Sequence, residues 1–135
     1  MSTIIADNLT GKTSAGSITV TSEGGAATQS LQQGLAKAWI DLNGTGTIAT
    51  RNSFSVSSIS DIGTGHYTSN FSNGFANVNF TSEGSASTSS SNSNGIWTSA
   101  SGTATTTSRN ILTMNTTGTV IDCQFAQGSF NGDLA

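Results

Sequence analysis

Few side chains of this chain could carry out chemistry, and they lie far apart in the sequence. The 135 residues include one histidine, His66, one cysteine, Cys123, and seven acidic residues. A cysteine nucleophile needs an activating base, and His66 is the one imidazole that could supply it. Asp41 and Asp61 could form a glycosidase carboxylate pair, although turn or solvent-facing roles are favoured for both. The metalloprotease HExxH, redox CxxC and hydrolase GxSxG motifs do not occur, so we expect no enzyme and no cofactor.

Local patterns favour structural roles for the remaining candidates. Cys123 alternates with Ile121 and Phe125, which predicts a strand with these three side chains facing inward and the cysteine buried as a small apolar residue. A single cysteine cannot form an intrachain disulfide, and we expect the chain to fold in a reducing cytoplasm. The glycine pairs at 44–46 and 63–65 lack the further glycines and the Lys-Ser/Thr of a phosphate-binding loop.

The composition excludes several classes of protein. Serine and threonine make up 45 of the 135 residues, there is no proline, and charged residues reach only 8%, against roughly 25% in an average soluble domain. The net charge of −3 gives no basic footprint for nucleic acid. No apolar run is long enough to span a bilayer, so we expect no membrane insertion. The low charge also fits a charged, disordered tail poorly.

The same composition predicts an all-β fold. Serine and threonine are poor helix formers, and threonine fits a pleated surface well. Hydrophobic residues account for only 33% of the chain, which is a thin supply for a core of this length. We therefore expect neighbouring subunits to complete the core, through strands that contain no proline to block pairing.

Alternating apolar residues predict several strands in the first half. Residues 1–33 read as an extended N-terminal arm with a strand at 17–22 and a possible helical turn at 28–33, and residues 34–135 as the main domain. Residues 35–44 fit either a helix or a strand, and the closing Asn-Gly favours a strand that enters a turn. A change of phase between Phe54, Val56 and Ile59 indicates a bulge or bend within residues 47–62, and residues 53–71 form the clearest hairpin.

The second half is less regular. Short strands are predicted at 77–80, 103–108, 111–114 and 119–126. The serine-rich segment 81–95 reads as a mobile surface loop. It shares TSEG with residues 21–30 at a spacing of 60 residues, which is either chance in a biased composition or the trace of a repeated unit.

Three residues are candidate surface or oligomer contacts. His66 lies in the predicted hairpin, where copies around an oligomer axis could bind a metal ion, although a surface or interface role is favoured. Tyr67 and Trp97 belong to a small aromatic set, most of which must be core. An aromatic residue left exposed on a polar β-surface would suit sugar stacking or protein docking.

The segment from residue 34 to residue 80 resembles a short module of phage tail-fibre and other virion-surface proteins, abundant in marine phages. The resemblance rests on Lys-Ala-Trp at 37–39, Asn-Gly-Thr-Gly-Thr at 43–47, SFSVSSI at 53–59, GTGHYT at 63–68 and Ala-Asn at 76–77. It covers about a third of the chain. His66 stands where the module commonly has an acidic residue.

The resemblance implies a small antiparallel β-sandwich, jelly-roll-like and trimeric, displayed on a virion and without catalytic residues. The expected function is a tail-fibre-like or receptor-binding protein that is made in the bacterial host cytoplasm, attaches to other virion proteins through its N-terminal arm and contacts a host glycan or protein. Because the sequence shows no long shaft, capsid decoration or a head fibre is the alternative role.

Overall fold

The computed structural model describes residues 3–89, 95–99 and 104–135. The chain divides into two compact units, residues 1–35 and 36–135, close to the predicted boundary at residue 33. The predicted all-β, antiparallel class is confirmed. The ten strands are β1 (Thr19–Thr21), β2 (Thr28–Ser30), β3 (Ala38–Asn43), β4 (Ala49–Phe54), β5 (Val56–Gly63), β6 (His66–Phe71), β7 (Thr81–Ser87), β8 (Gly95–Ser99), β9 (Ser108–Asn115) and β10 (Phe125–Asn131). No helix long and apolar enough to cross a membrane occurs in the described ranges.

The first unit contains a small hairpin. Strands β1 and β2 form a two-stranded antiparallel sheet in which Val20 pairs with Gln29. Strand β2 begins where a helical turn was possible, and a turn follows it at residues 31–34. Ile4, Ile5 and Leu9 precede the hairpin with exposed apolar side chains.

The second unit is one eight-stranded antiparallel sheet in the order β4-β3-β10-β7-β8-β9-β6-β5. Its two edge strands, β4 and β5, are consecutive in the chain and are separated only by Ser55, which adopts a left-handed φ of 54°. The sheet therefore curls until its edges approach each other, as a nearly closed barrel or sandwich-like fold. The predicted change of phase is this junction, together with a register shift between Val56 and Ser58.

The core lies inside the curled sheet. Strand β3 buries Ala38, Ile40 and Leu42, as its strand pattern predicts, and β6 buries Tyr67, Ser69 and Phe71. Four phenylalanines pack edge-on or stacked with centroid separations of 4.2 to 6.5 Å: Phe71, Phe75, Phe80 and Phe130. The few apolar residues of one chain thus form a core by themselves. A contribution from neighbouring subunits stays a prediction.

Trp97 belongs to the core, and two glycines leave room for its indole ring. Gly84 on β7 and Gly128 on β10 are paired and lie beside Ile40. A Cβ atom at Gly84 would lie 2.6 Å from Trp97 Cδ2, too close for any side chain. Alanine at either glycine would force the indole out of place.

Four predictions for the second half are wrong. Residues 77–80 form no strand. Thr105 forms only an isolated bridge, with Ser108, which is the first residue of β9. Residues 81–87 of the expected loop are instead the central strand β7. In the predicted strand at 119–126, Val120 forms only an isolated bridge with Met114, and β10 begins at Phe125. Ala126 is buried and Phe125 is not, so the predicted inward position of Phe125 is wrong. Part of 81–95 and of 103–108 lies outside the described residues.

The TSEG echo has no counterpart in the fold. The first copy ends β1 and enters the turn that joins it to β2, whereas the second copy is part of β7. The shared letters therefore do not mark a repeated structural unit.

Candidate functional site

The outward face of four adjacent strands, β4, β3, β10 and β7, holds the candidate site. Alternation places the side chains next to the buried ones on this face. The register aligns them in two rows. One row runs Asn52, Asp41, Gln127 and Ser85, and the other runs Phe54, Trp39, Ser129 and Glu83.

A groove of about 470 Å³ lies between these rows. Its floor includes the backbone of Gly84 and Gly128, behind which the Trp97 indole is packed. Its walls carry the Trp39 indole, 36% exposed, and planar polar side chains. The groove is open to solvent, so a ligand would lie on its surface rather than be enclosed. We call this feature the outer groove; its side chains are Trp39, Asp41, Asn52, Glu83, Gln127 and Ser129.

The two carboxylates of the outer groove are held in place. Asp41 Oδ1 lies 3.3 Å from Arg51 Nη1. Glu83 Oε1 accepts hydrogen bonds from Ser129 Oγ at 3.1 Å and from Asn131 Nδ2 at 3.4 Å. Each carboxylate therefore keeps its second oxygen for a ligand while its first oxygen fixes its orientation.

Arg51 ties three parts of the sheet together. Its guanidinium donates to the carbonyl of Leu42 at 2.8 Å and to the carbonyl of Gln124 at 2.6 Å, and it lies 4.3 Å from the centroid of the Phe125 ring. Phe125 faces outward because it alternates with the buried Ala126, and the Arg51 guanidinium covers its ring. Lys37 is only 7% exposed, and burial lowers the pKa of its ammonium group more than the charge of Asp133 raises it.

Replacing Arg51 with lysine lowers the free energy of unfolding by about 1–2 kcal/mol, since one ammonium cannot reproduce the planar fork. Chemical denaturation measures the loss. Lys12→Ala is the control, because Lys12 is exposed, and it changes stability by less than about 0.5 kcal/mol. An Arg51→Lys protein as stable as the parent would contradict this role.

A second polar cluster is buried at one end of the barrel. Tyr67 Oη donates to Asp122 Oδ1 at 2.9 Å, with the carbonyl of Gly44 at 3.3 Å, and the amide of Gly65 donates to the same Asp122 oxygen at 2.6 Å. Burial, followed by the hydrogen bond to Asp122 and its charge, raises the pKa of Tyr67 well above its ordinary value. The cluster joins the turns after β3 and β5 to the segment before β10.

The three residues predicted as surface contacts do not form one site. His66 is exposed at the start of β6. Tyr67 is 0% exposed and Trp97 is 9% exposed, so the prediction of a surface position is wrong for both. Tyr67 and Trp97 are buried because they lie on the inward faces of β6 and β8, where large apolar side chains fill the core.

The described residues form neither the candidate Asp41–Asp61 carboxylate pair nor a metal site. Asp61 accepts the amide hydrogen of Gly63 in its turn and Asp41 contacts Arg51, so each aspartate has a local partner. Within the described ranges, no three His, Cys, Asp or Glu side chains are grouped as metal ligands.

Cys123 is a fully buried free thiol, as predicted. Burial raises the pKa of this thiol, which keeps it in the unreactive protonated form. We expect no labelling by an alkylating thiol reagent at pH 8 in the native protein and complete labelling in denaturant, as measured by intact mass. Rapid labelling of the native protein would show that this end of the barrel opens.

Sequence reasoning missed most of the outer groove. Glu83 lay in the expected loop, and Gln127 and Ser129 lay in a strand that was not predicted. One signal could have found that strand: Ala126, Gly128 and Phe130 alternate with polar residues.

Comparison of the chain with protein-family models, with curated proteins and with solved structures finds no match.

Proposed function

We propose that this chain is a bacteriophage virion-surface protein, tail-fibre-like, that assembles as a homotrimer and contacts the host surface without catalysis. The observation that carries the proposal is that the phage-like motifs all lie within one folded unit, residues 36–135. The segment 37–47 supplies β3 and its turn, 53–59 crosses between the sheet edges at Ser55, and 63–68 supplies the turn into β6.

Within this unit the motif residues contact one another. Tyr67 of the GTGHYT motif lies against Gly44 of the NGTGT motif, and a Cβ atom at Gly44 would overlap the tyrosine ring. This contact brings the NGTGT and GTGHYT motifs together in the fold. The outward polar face and its outer groove favour contact with a host surface within this class of protein.

The N-terminal unit supports attachment to other virion proteins through this part of the chain. A two-stranded hairpin is marginally stable on its own in water. Ile4 and Ile5 are 86% and 93% exposed, and Leu9 is 62% exposed. A neighbouring virion protein that covers these side chains would stabilise the unit. The same feature suits the alternative, capsid decoration or a head fibre, because such a protein also needs an anchoring segment.

Quantitative mass spectrometry of purified virions tests the proposal and separates the two roles. Tens of copies or fewer per particle fit a fibre, hundreds fit a capsid decoration protein, and absence from the particle overturns both.

Analytical ultracentrifugation tests the trimer, which a monomer at micromolar concentration would refute. For host contact, the purified protein should compete with phage adsorption, and failure to compete would refute the receptor-binding role.

A further inference from the structure

We infer that the outer groove binds a neutral saccharide, with Trp39 as the stacking platform. This inference rests on the proposed contact with a host surface and names the chemistry of that contact. A sugar ring presents an apolar face of C–H groups and an edge of hydroxyl groups. A site for it therefore needs an exposed aromatic face beside planar hydrogen-bonding side chains.

The outer groove places these two kinds of group side by side. Trp39 and Gln127 lie on adjacent strands and in adjacent rows, because Gln127 pairs with Asp41 and Ser129 pairs with Trp39. Neighbouring strands are about 4.8 Å apart. A ring stacked on the indole therefore has its edge within reach of the polar row.

The polar row offers both donors and acceptors. The side-chain amide of Gln127 is exposed and forms no hydrogen bond with the described residues, so its N–H and C=O groups are open to a ligand. Asp41 and Glu83 contribute carboxylate oxygens that accept hydrogen bonds from hydroxyl groups. Their existing contacts with Arg51 and Ser129 hold them in place, which reduces the entropy lost on binding.

The charge of the outer groove selects among saccharides. Arg51 is the cation beside Asp41, and its guanidinium is engaged by two carbonyls and the Phe125 ring. The neighbours of Glu83 are the neutral donors Ser129 and Asn131. Arg51 offsets the charge of Asp41, whereas no cation contacts Glu83 among the described residues, so the net charge that the groove presents is negative. This charge disfavours sialylated and uronic-acid saccharides and favours neutral ones.

The test uses the full chain and a panel of neutral gluco-, galacto- and manno-oligosaccharides, with sialylated and uronic-acid oligosaccharides as the charged arm. Binding is followed by calorimetry and by tryptophan fluorescence. Trp39 is exposed and Trp97 is buried, so a bound sugar shifts the emission of Trp39 while Trp97 serves as an internal reference. We expect a sub-millimolar Kd for at least one neutral oligosaccharide and no binding of the charged arm.

Two variants locate the site. Trp39→Ala should weaken binding at least tenfold, and Gln127→Ala should weaken it several-fold without removing any aromatic contact. The control is Ile62→Ala, since Ile62 is an exposed apolar side chain on β5 that does not line the outer groove. Thermal unfolding of each variant verifies that it is folded.

Each outcome decides the inference. Failure to bind any neutral saccharide at ten millimolar, preference for the charged arm, or unchanged binding by both groove variants would overturn it. The proposed function fails separately: a protein absent from virions that still binds sugar refutes the virion role alone. A protein that competes with phage adsorption but binds no saccharide refutes the outer groove alone.

Discussion

Replacing Phe130 with alanine should lower the free energy of unfolding by about 3–5 kcal/mol, the usual cost of removing a buried phenyl ring. Phe130 is 0% exposed, and its ring centroid lies 4.8 Å from that of Phe71. Its strand pairs with both β3 and β7, so the ring sits in the middle of the sheet. The loss is a large part of the total stability of a domain of this size, about 5–15 kcal/mol.

Phe54→Ala is the matched control for this experiment. Phe54 is the same residue type but lies 53% exposed on the outward face, across from Trp39. Its removal should cost less than about 1 kcal/mol, the range of an exposed cross-strand pair. Urea denaturation of both variants gives the comparison. Equal losses for the two would mean that the core is not formed where the fold places it, or that Phe54 is buried by a partner subunit.

Replacing Tyr67 with phenylalanine should lower the free energy of unfolding by about 1.5–3 kcal/mol at neutral pH. The substitution keeps the buried ring but removes the hydroxyl that donates to Asp122, and hydrogen bonds to charged groups are worth about this much. Denaturation of Tyr67→Phe, Asp122→Ala and the double variant gives a double-mutant cycle. The double variant should lose less than the sum of the single losses, and strict additivity would contradict the contact.

The same variant should reveal an alkaline pH dependence. Because the pKa of Tyr67 is raised in the folded protein, its contribution is fully present below the unfolded value of about 10 and is lost as the pH rises through the folded value. The stability difference between the parent and Tyr67→Phe should therefore be constant up to about pH 9 and shrink above pH 10. Lys37, whose lowered pKa acts in the opposite direction, is present in both proteins and cancels. A difference that does not change with pH would contradict the raised pKa.

The first half of the domain followed from local sequence signals. The alternation of Ala38, Ile40 and Leu42 predicts the buried face of β3, and the Gly-Thr-Gly turn at 63–65 predicts the β5–β6 hairpin. These features depend on neighbours in sequence: a period of two for strands and glycine for the left-handed turn, where Gly65 has a φ of 65°. The phage-like motifs lie in the same region, so the expected function also came from it.

The second half depended on contacts between distant segments. Strand β7 is central, yet its sequence from Thr81 to Ser87 is as polar as a loop, because its inward positions are the small residues Ser82, Gly84 and Ala86. Glycine is needed at position 84 because Trp97 and the backbone carbonyl of Gln127, both from other strands, occupy the space where a side chain would lie. The residues next to Gly84 in the sequence give no sign that Trp97 will pack against it.

The sequence by itself determined the β class, the hairpins and the scarcity of groups for catalysis, since composition and period-two patterning are local properties. The tertiary structure decided which aromatic residues are exposed. Tyr67 and Trp97 are drawn into the core, whereas Trp39 is left outside, because the sheet closes with the Ala38–Ile40–Leu42 face of β3 inward. It also brought Asp41, Glu83 and Gln127 beside Trp39, since strand order and register join segments up to about ninety residues apart.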